Sequence, residues 1–341
     1  MAAFNVLKTS EDFLGALPKR AREVLERRFG IGRAKERRTL EAIGASYGIT
    51  RERVRQIEAH GLQKLRQHDF MNEHKEAFQY LKDELQKHGG IAHEEEFLAE
   101  LSKEPAEQNH LRFLLTLGED FKRLKEEDDF HPRWISDEKS AEACHKTLNS
   151  FHAELEKEEP LLEAEIKARL AAAAFRVAGR ELAEPAVSSW LLVSKQLSKN
   201  KLGEWGLVSS PHISPRGVRD LAYLVMKRHG SPMHFSEVAE GIKKNLGEKA
   251  HVQTVHNELI KDERFVLVGR GLYALREWGY EPGIVRDIIR NILVSQGPLA
   301  KEKLIEKVLK ERHVKPATIK INLQNKEHFK ILEDGRWTVV A

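Results

Sequence analysis

Four side chains within about a turn and a half of chain, Arg51, Glu52, Arg55 and Gln56, carry the donors and acceptors that tell base pairs apart in a major groove. Arg is a bidentate donor to guanine, Gln pairs with adenine, Glu accepts from cytosine N4, and a further Arg holds phosphate. On a helix these positions share one face, whereas Val54, Ile57, Gly61 and Leu65 fall on another at helical spacing. The first set is expected to face outward and the second to face a core. Positioning them takes a second element. Thr39 is placed to cap a short helix with apolar positions Leu40, Ile43 and Tyr47; Gly48 supplies a turn, Ile49 plugs the gap, and Thr50 caps the helix that follows. The spacing predicts a helix-turn-helix. A solvated amphipathic helix pair is the plainer use of the same residues.

The run TRERVRQIEA (50–59), with LPKRAREVLERRFGIG (17–32) upstream, resembles region 4 of the principal bacterial sigma factors over residues 11–68. The resemblance implies that this part reads an upstream, minus-35-type promoter element. By position, Arg51, Glu52 and Gln56 would read base edges, while Arg53 and Arg55 would contact phosphates or set the helix. Thr39, Thr50, Lys64 and Arg66 complete the expected phosphate contacts. The resemblance also implies docking on core RNA polymerase, at the beta-subunit flap, through an apolar groove. The matching positions lie among Phe13, Leu14, Leu17, Val24, Leu25 and Phe29, most of which must also form the module's own core. His60, Gly61 and Gln63 depart from the family pattern, which has Lys, Ala and a basic residue there. A mid-helix Gly costs about 1 kcal/mol relative to Ala, and two missing cations lower phosphate affinity.

The 341 residues leave room for two or three ordinary domains, or more if they are small. Charged residues make up 32% and apolar ones 40%, and no run approaches the length of a membrane span, so neither a span nor a signal peptide is expected. Cys144 is the one cysteine, which excludes an intramolecular disulfide and suits a reducing cytoplasm; it is expected to be a small buried apolar residue. The formal net charge of +4 is segregated: residues 1–68 carry +7, residues 69–165 carry −14, and residues 166–341 carry +11. Two basic blocks fit a chain that meets nucleic acid at two places, in the cytoplasm and associated with the nucleoid. The acidic block reads as a solvated, Glu-rich helical region.

After the first module the chain repeats weakly. Gly90-Ile91, Pro160-Leu161, Pro232-Met233 and Pro298-Leu299 open units 70, 72 and 66 residues apart, and the units close on Trp134, Trp205, Tyr273 and Trp337. FSEVAEGIKKNL and KEKLIEKVLKER read as first helices, HVQTVHNELIKDE and KPATIKINLQNKE as second or third ones. FVLVGRGLYAL and FKILEDGRWTVV read as hairpins around Gly-containing tips. The expected fold is mainly α: a helix-turn-helix (1–70) followed by tandem winged-helix units with small β-hairpin wings at 71–137, 138–214, 215–280 and 281–341. Residues 217–280 resemble the HARE-type helix-turn-helix, including the N-terminal domain of the RNA polymerase delta subunit, through GSPMHFSEVAEGI, TVHNELIKDERFVLVGRGLYAL and Trp278. Secondary DNA contacts are expected from Lys261, Arg264, Arg270, Lys315, Lys320 and Arg336; protein docking is the alternative use of that surface. The four rings are expected to close wings rather than to stack on bases.

No CxxC, GxxxxGK[ST], GxSxG or strand-following GxGxxG occurs, and His251 and His256 lack a third ligand nearby. Glu126, Glu127, Asp128 and Asp129 are contiguous and should splay apart. No enzyme activity, metal or cofactor is expected. The resemblance covers only one sigma region, and no aromatic-rich melting helix appears, so promoter opening by this chain alone is not expected. The reading is a sigma-related transcription regulator that binds double-stranded, promoter-type DNA and contacts polymerase. The alternatives are a free-standing repressor or nucleoid protein, a DNA-recognition subunit of a restriction-modification-type system, and a protein-interaction scaffold.

Overall fold

The structure is a computed structural model that describes residues 4–67, 69–156, 159–280 and 283–340. It is mainly helical, with small antiparallel strand pairs, and divides into two compact bodies. One runs to Lys199 and includes Gly203–Val208; the other comprises Asn200–Leu202 and the chain from Ser209 onward. The N-terminal body begins with α1 (Val6–Gly15), α2 (Lys19–Phe29), α3 (Leu40–Tyr47) and α4 (Arg51–Arg66). After α5 (Phe70–Glu73) come α6 (Lys75–Lys87), β1 (Ile91–His93), α7 (Glu94–Leu101), α8 (Pro105–Leu117), β2 (Lys122–Leu124) and β3 (Arg133–Ile135). The body closes with α9 (Glu138–Leu155), α10 (Glu163–Ala178), α11 (Glu184–Val193), β4 (Leu197–Lys199) and β5 (Trp205–Leu207). The C-terminal body holds α12 (Val218–His229), β6 (Met233–His234), α13 (Phe235–Leu246), α14 (Val252–Lys261), β7 (Phe265–Gly269) and β8 (Leu272–Leu275). It ends with α15 (Val285–Gln296), α16 (Lys301–Glu311), α17 (Pro316–Leu323), β9 (Phe329–Ile331) and β10 (Trp337–Val339).

Four times the order is helix, short strand or bridge, helix, helix, hairpin, which is a winged-helix-like repeat. The register explains the sequence periodicity. The opening residue of a repeat lies across from its closing ring: Met233 opposite Tyr273, Leu161 opposite Trp205, and Leu299 opposite Trp337. In the first repeat the partner of Trp134 is Ala92, one residue past Ile91. The three-stranded sheets run β1-β3-β2 and β6-β8-β7, so the opening strand joins the wing's second strand in each. Trp134 and Tyr273 are buried and Trp205 and Trp337 half-buried, as wing-closing side chains should be. FSEVAEGIKKNL and KEKLIEKVLKER are α13 and α16, second helices rather than first, because α12 and α15 precede the Pro that marks each start. The opening strand is too short to leave a two-residue period, so the break before it looked like the beginning of a unit.

In the N-terminal body apolar packing runs across the expected breaks at 70 and 137. Phe13, Leu14, Leu25 and Phe29 share a core with Phe78, Leu81, Leu85, Phe113 and Leu114. Phe29 meets Phe113 edge-on with centroids 5.4 Å apart, and Phe13 meets Phe78 at 6.0 Å. Burying one such side chain contributes about 1.5–3 kcal/mol. Uncovering four of them would therefore remove an amount comparable to the whole stability of a domain, about 5–15 kcal/mol. A second core joins Ile91, Phe130 and Ile135 to Cys144, Leu148, Phe151 and Trp190. Cys144 is fully buried there, and burial pushes its thiol pKa up.

The wing of the first repeat is held by the second. Phe130 bridges Ser194, the Lys195 Nζ sits 2.9 Å from Glu126, and the Gln196 amide donates to Asp129 at 2.8 Å. The acidic run does splay, with Glu127 turning to Arg133 instead. Arg133 has no exposed side-chain surface and donates to Glu127, to the carbonyls of Lys125 and His131, and to His145 Nε2 at 2.9 Å. Burial, then the Arg133 charge, lowers the His145 pKa to about 4; burial likewise lowers His110, His131 and His152. Between about pH 6.5, where a free histidine titrates, and pH 4 the unfolded chain therefore binds more protons than the folded one. Stability should fall as pH drops through that window. Thermal melting should show a lower midpoint at pH 5 than at pH 7.5, and His145→Gln, which keeps an acceptor for Arg133, should narrow the difference. Identical pH dependence in the variant would remove His145 from this account.

Candidate nucleic-acid interface

The helix-turn-helix is built as its capping residues require. The hydroxyls of Thr39 and Thr50 accept the Ala42 and Arg53 amide N–H, both at 3.2 Å, and open α3 and α4. Each hydroxyl acts as an acceptor in its cap, which leaves its own proton able to donate elsewhere. Gly48 ends α3 at φ 65°, a conformation other L residues adopt at a cost. Val24, Ile43 and Val54 are fully buried between α2, α3 and α4, with Leu40, Tyr47, Ile49 and Ile57 around them. Tyr47 donates to Glu23 at 2.7 Å and lies under the Arg27 guanidinium, which ties α3 to α2. The turn passes close to α3: a Cβ on Gly44 would lie 2.6 Å from the Ile49 carbonyl oxygen.

Arg51, Glu52, Arg53, Arg55 and Gln56 are all exposed on the first turns of α4. Two contacts tie them together. Arg55 donates to both Glu52 carboxylate oxygens, at 2.8 and 2.7 Å, which lowers the Glu52 pKa and raises that of Arg55. Arg53 donates to Gln56 at 3.0 Å. These are solvent-exposed contacts of small strength. Arg51 makes no ion pair among the described residues. Lys64 is exposed further along the helix. Arg66 is engaged elsewhere: its guanidinium donates to the carbonyls of Leu117 at 3.0 Å and Thr116 at 2.9 Å, closing the C-terminus of α8.

A second cationic feature, outside the helix-turn-helix motif, lies beside this helix pair. A cleft of about 860 Å³ is lined by Lys19, Arg22, Arg27, Arg33, Lys35 and Arg38, with Glu23, Glu26 and Glu36 among them. Its rim is the segment leading into Thr39. The signal was present as the basic run RAKERR (33–38), read only as part of a net charge. The apolar positions implied for polymerase docking are closed. Phe13, Leu14, Leu17, Val24, Leu25 and Phe29 are all buried, Val24 within the helix-turn-helix and the others in a core shared with α4, α6 and α8.

In the C-terminal body the expected contacts separate into free and engaged groups. Lys261 at the end of α14, Arg270 at the β7–β8 tip, and Lys315 and Lys320 on α17 are exposed, with no ion pair among the described residues. Arg264 instead clamps Asp220 at 2.8 Å and Asp262 at 2.7 Å over the Tyr223 ring, and these partners hold its pKa well above the ordinary value. Arg336 is paired with Asp334 through its Nε at 2.7 Å.

Residues 13–67 match the family model of Sigma-70, region 4. That span begins inside α1 and ends just after α4, so it contains the whole helix-turn-helix and its α2 support. Over 66 residues the chain is 50% identical to the RNA polymerase sigma factor SigA of Bacillus sp, covering 19% of this chain and 17% of that relative. The same identity and coverage hold for the SigA of Listeria monocytogenes serovar 1/2a (strain ATCC BAA-679 / EGD-e). The chain thus spans about a sixth of the length of these relatives. Residues 217–278 match the HARE-HTH family model, the ASXL and restriction endonuclease HTH domain, which corresponds to α12 through the turn after β8.

Two glycines of the region 4 segment differ in what they tolerate. A Cβ on Gly61 would meet only Leu25 at 3.5 Å and Ala21 at 3.7 Å, with Leu17 at 4.0 Å, ordinary contact distances. Gly61→Ala should therefore raise stability by about 1 kcal/mol, the helix-interior preference for Ala. Gly44→Ala forces the turn away from α3 and should lower it. Denaturant titration of both variants checks the pair, and a destabilising Gly61→Ala would contradict the packing described for α2 and α4.

Proposed function

We propose that this chain is a sigma-related transcription regulator that reads promoter-type duplex DNA through α4, makes contact with RNA polymerase, and does not melt promoters itself. The observation that carries the reading is the exposed set on the first turns of α4. Arg51, Glu52 and Gln56 stand outward on a helix fixed from behind by Val24, Ile43 and Val54, inside the segment similar to SigA. Arg51, Glu52 and Gln56 read base edges, and Arg53, Arg55, Lys64 and the cap hydroxyls of Thr39 and Thr50 take phosphates. The function is binding, without covalent chemistry or a cofactor. Affinity comes mainly from cations on phosphates and falls steeply with salt.

A second reading, a free-standing repressor that binds DNA without polymerase, is favoured by one observation. The apolar positions among which the resemblance places the beta-flap contact are all buried, Val24 inside the helix-turn-helix and the others in a core shared with α6 and α8. Under the first reading, polymerase contact is made by polar surface, of which the cationic cleft around residues 33–38 is the nearest. Capture of core RNA polymerase by the full chain supports the first reading; DNA binding without capture supports the second.

Gln56→Ala should reduce the preference for the selected duplex by about 1–3 kcal/mol, the discrimination of one bidentate pair. Lys64→Ala should weaken all sequences alike and lower the slope of log affinity against log salt by about 0.9, one phosphate contact. Competition binding on matched and altered duplexes measures both. Equal weakening of every sequence by both variants would defeat the assignment of α4 to the major groove.

A further inference from the structure

The four winged-helix-like repeats do not leave their third helices equally free. In the first, α8 packs on α1, α2 and α4, receives Arg66 on its last carbonyls, and sends the Asn109 amide to the Gly30 carbonyl at 3.3 Å. In the second, α11 lies on β1, with Ser189 donating to the Ile91 carbonyl at 3.2 Å and Trp190 fully buried. Neither helix can enter a groove without dismantling the N-terminal body. In the C-terminal body α14 and α17 bury only one stripe each, Val255 and Leu259 on α14, Ile319 and Leu323 on α17, and keep the opposite face open.

The open face of α17 has a defined pattern. At 100° per residue, the side opposite Ile319 and Leu323 presents Ala317, Ile321 and Gln324, all exposed; Ile321 is 68% exposed. Lys320 stands at one edge of that face and the exposed Thr318 at the other, while Lys315 caps the start of the helix. Lys326 and Lys330 follow, the latter on β9, and both are exposed. None of these four lysines makes an ion pair among the described residues, although Glu327 and Glu333 lie in the same stretch. A small uncharged strip with one cation along its edge and others at both ends of the helix fits a helix end laid against the phosphates of a duplex. The strip offers only one hydrogen-bonding side chain, Gln324, so it suits backbone contact and apolar contact rather than base selection.

We infer that the fourth repeat, residues 283–340, is a second site for duplex DNA, held through phosphates by Lys315, Lys320, Lys326 and Lys330 around α17 and largely indifferent to sequence. The inference rests on the reading of the chain as DNA-binding, and it assigns the α17 face to nucleic acid instead of protein. Its consequence is a division of labour. The first two repeats hold α4 in place, α4 selects sequence, and the fourth repeat adds sequence-independent affinity.

The test uses the full chain with Lys315→Gln, Lys320→Gln, Lys326→Gln and Lys330→Gln combined, and separately Ile321→Glu, which places a carboxylate on the exposed strip without touching the core. Fluorescence anisotropy is read on a matched and an altered duplex across a salt series. The quadruple variant should lower the salt slope by about 2–4, near 0.9 per phosphate contact, with the ratio of affinities for the two duplexes unchanged. Ile321→Glu should weaken both duplexes by the same factor. An unchanged slope together with an inert Ile321→Glu overturns the inference. Loss of core polymerase binding with DNA binding intact overturns it in favour of an acidic protein partner. Failure of the α4 reading is separately visible: the unmodified chain would then show no preference between duplexes, while the quadruple variant still lowered the slope.

Discussion

The packing of α8 against α1, α2 and α4 is the constraint on which the N-terminal body depends. Its apolar part sets Phe113 and Leu114 against Phe29, Leu25 and Phe13. Its polar part joins the Asn109 amide to the Gly30 carbonyl and adds a guanidinium: Arg66, at the end of α4, closes the last carbonyls of α8. Those carbonyls have no partner within their own helix and carry the negative end of its dipole, so a cation there is favoured twice over. One side chain thus fixes the far end of α4 while the near end, with Arg51, Glu52 and Gln56, stays in solvent.

That arrangement turns a frame commonly suited to nucleic acid into a support. The third helix of the first repeat braces the helix-turn-helix, and the third helix of the second repeat braces β1 of the first. The wing of the first repeat is in turn held by residues 194–196. Within the N-terminal body the second repeat leans on the first and the first on the helix-turn-helix, and the buried Arg133, donating to the hairpin loop of the first repeat and to α9 of the second, sits at the joint. Among the described residues the C-terminal body has no such layering onto α14 or α17, and the lysines around α17 stay without an ion pair.

Much of this was legible in the sequence, for physical reasons that differ by element. The two threonine caps, the Gly48 turn and the split between outward Arg51, Glu52 and Gln56 and inward Val54 and Leu65 depend on local rules, and the structure follows them. The repeat of Gly or Pro starts and closing rings was visible because one strand pair forces both residues to recur together. What local rules leave out is which surface covers which. Arg66 and Arg264 have the composition of phosphate ligands, yet one closes α8 and the other clamps Asp220 and Asp262. Nothing in the local pattern around Arg66 points to α8, and nothing around Arg264 points to Asp220. Likewise the place of α12 and α15 as first helices was hidden by opening strands of two residues or a single bridge.

The most direct measurement is hydrogen exchange of the full chain with and without a duplex selected by it. The account predicts new protection in residues 50–58 on binding DNA, with α8 and α11 already slow to exchange in the free protein and unchanged by the duplex. Protection arising in α8 or α11, with residues 50–58 unaffected, would mean that those helices leave their internal seats to meet DNA, and would contradict it.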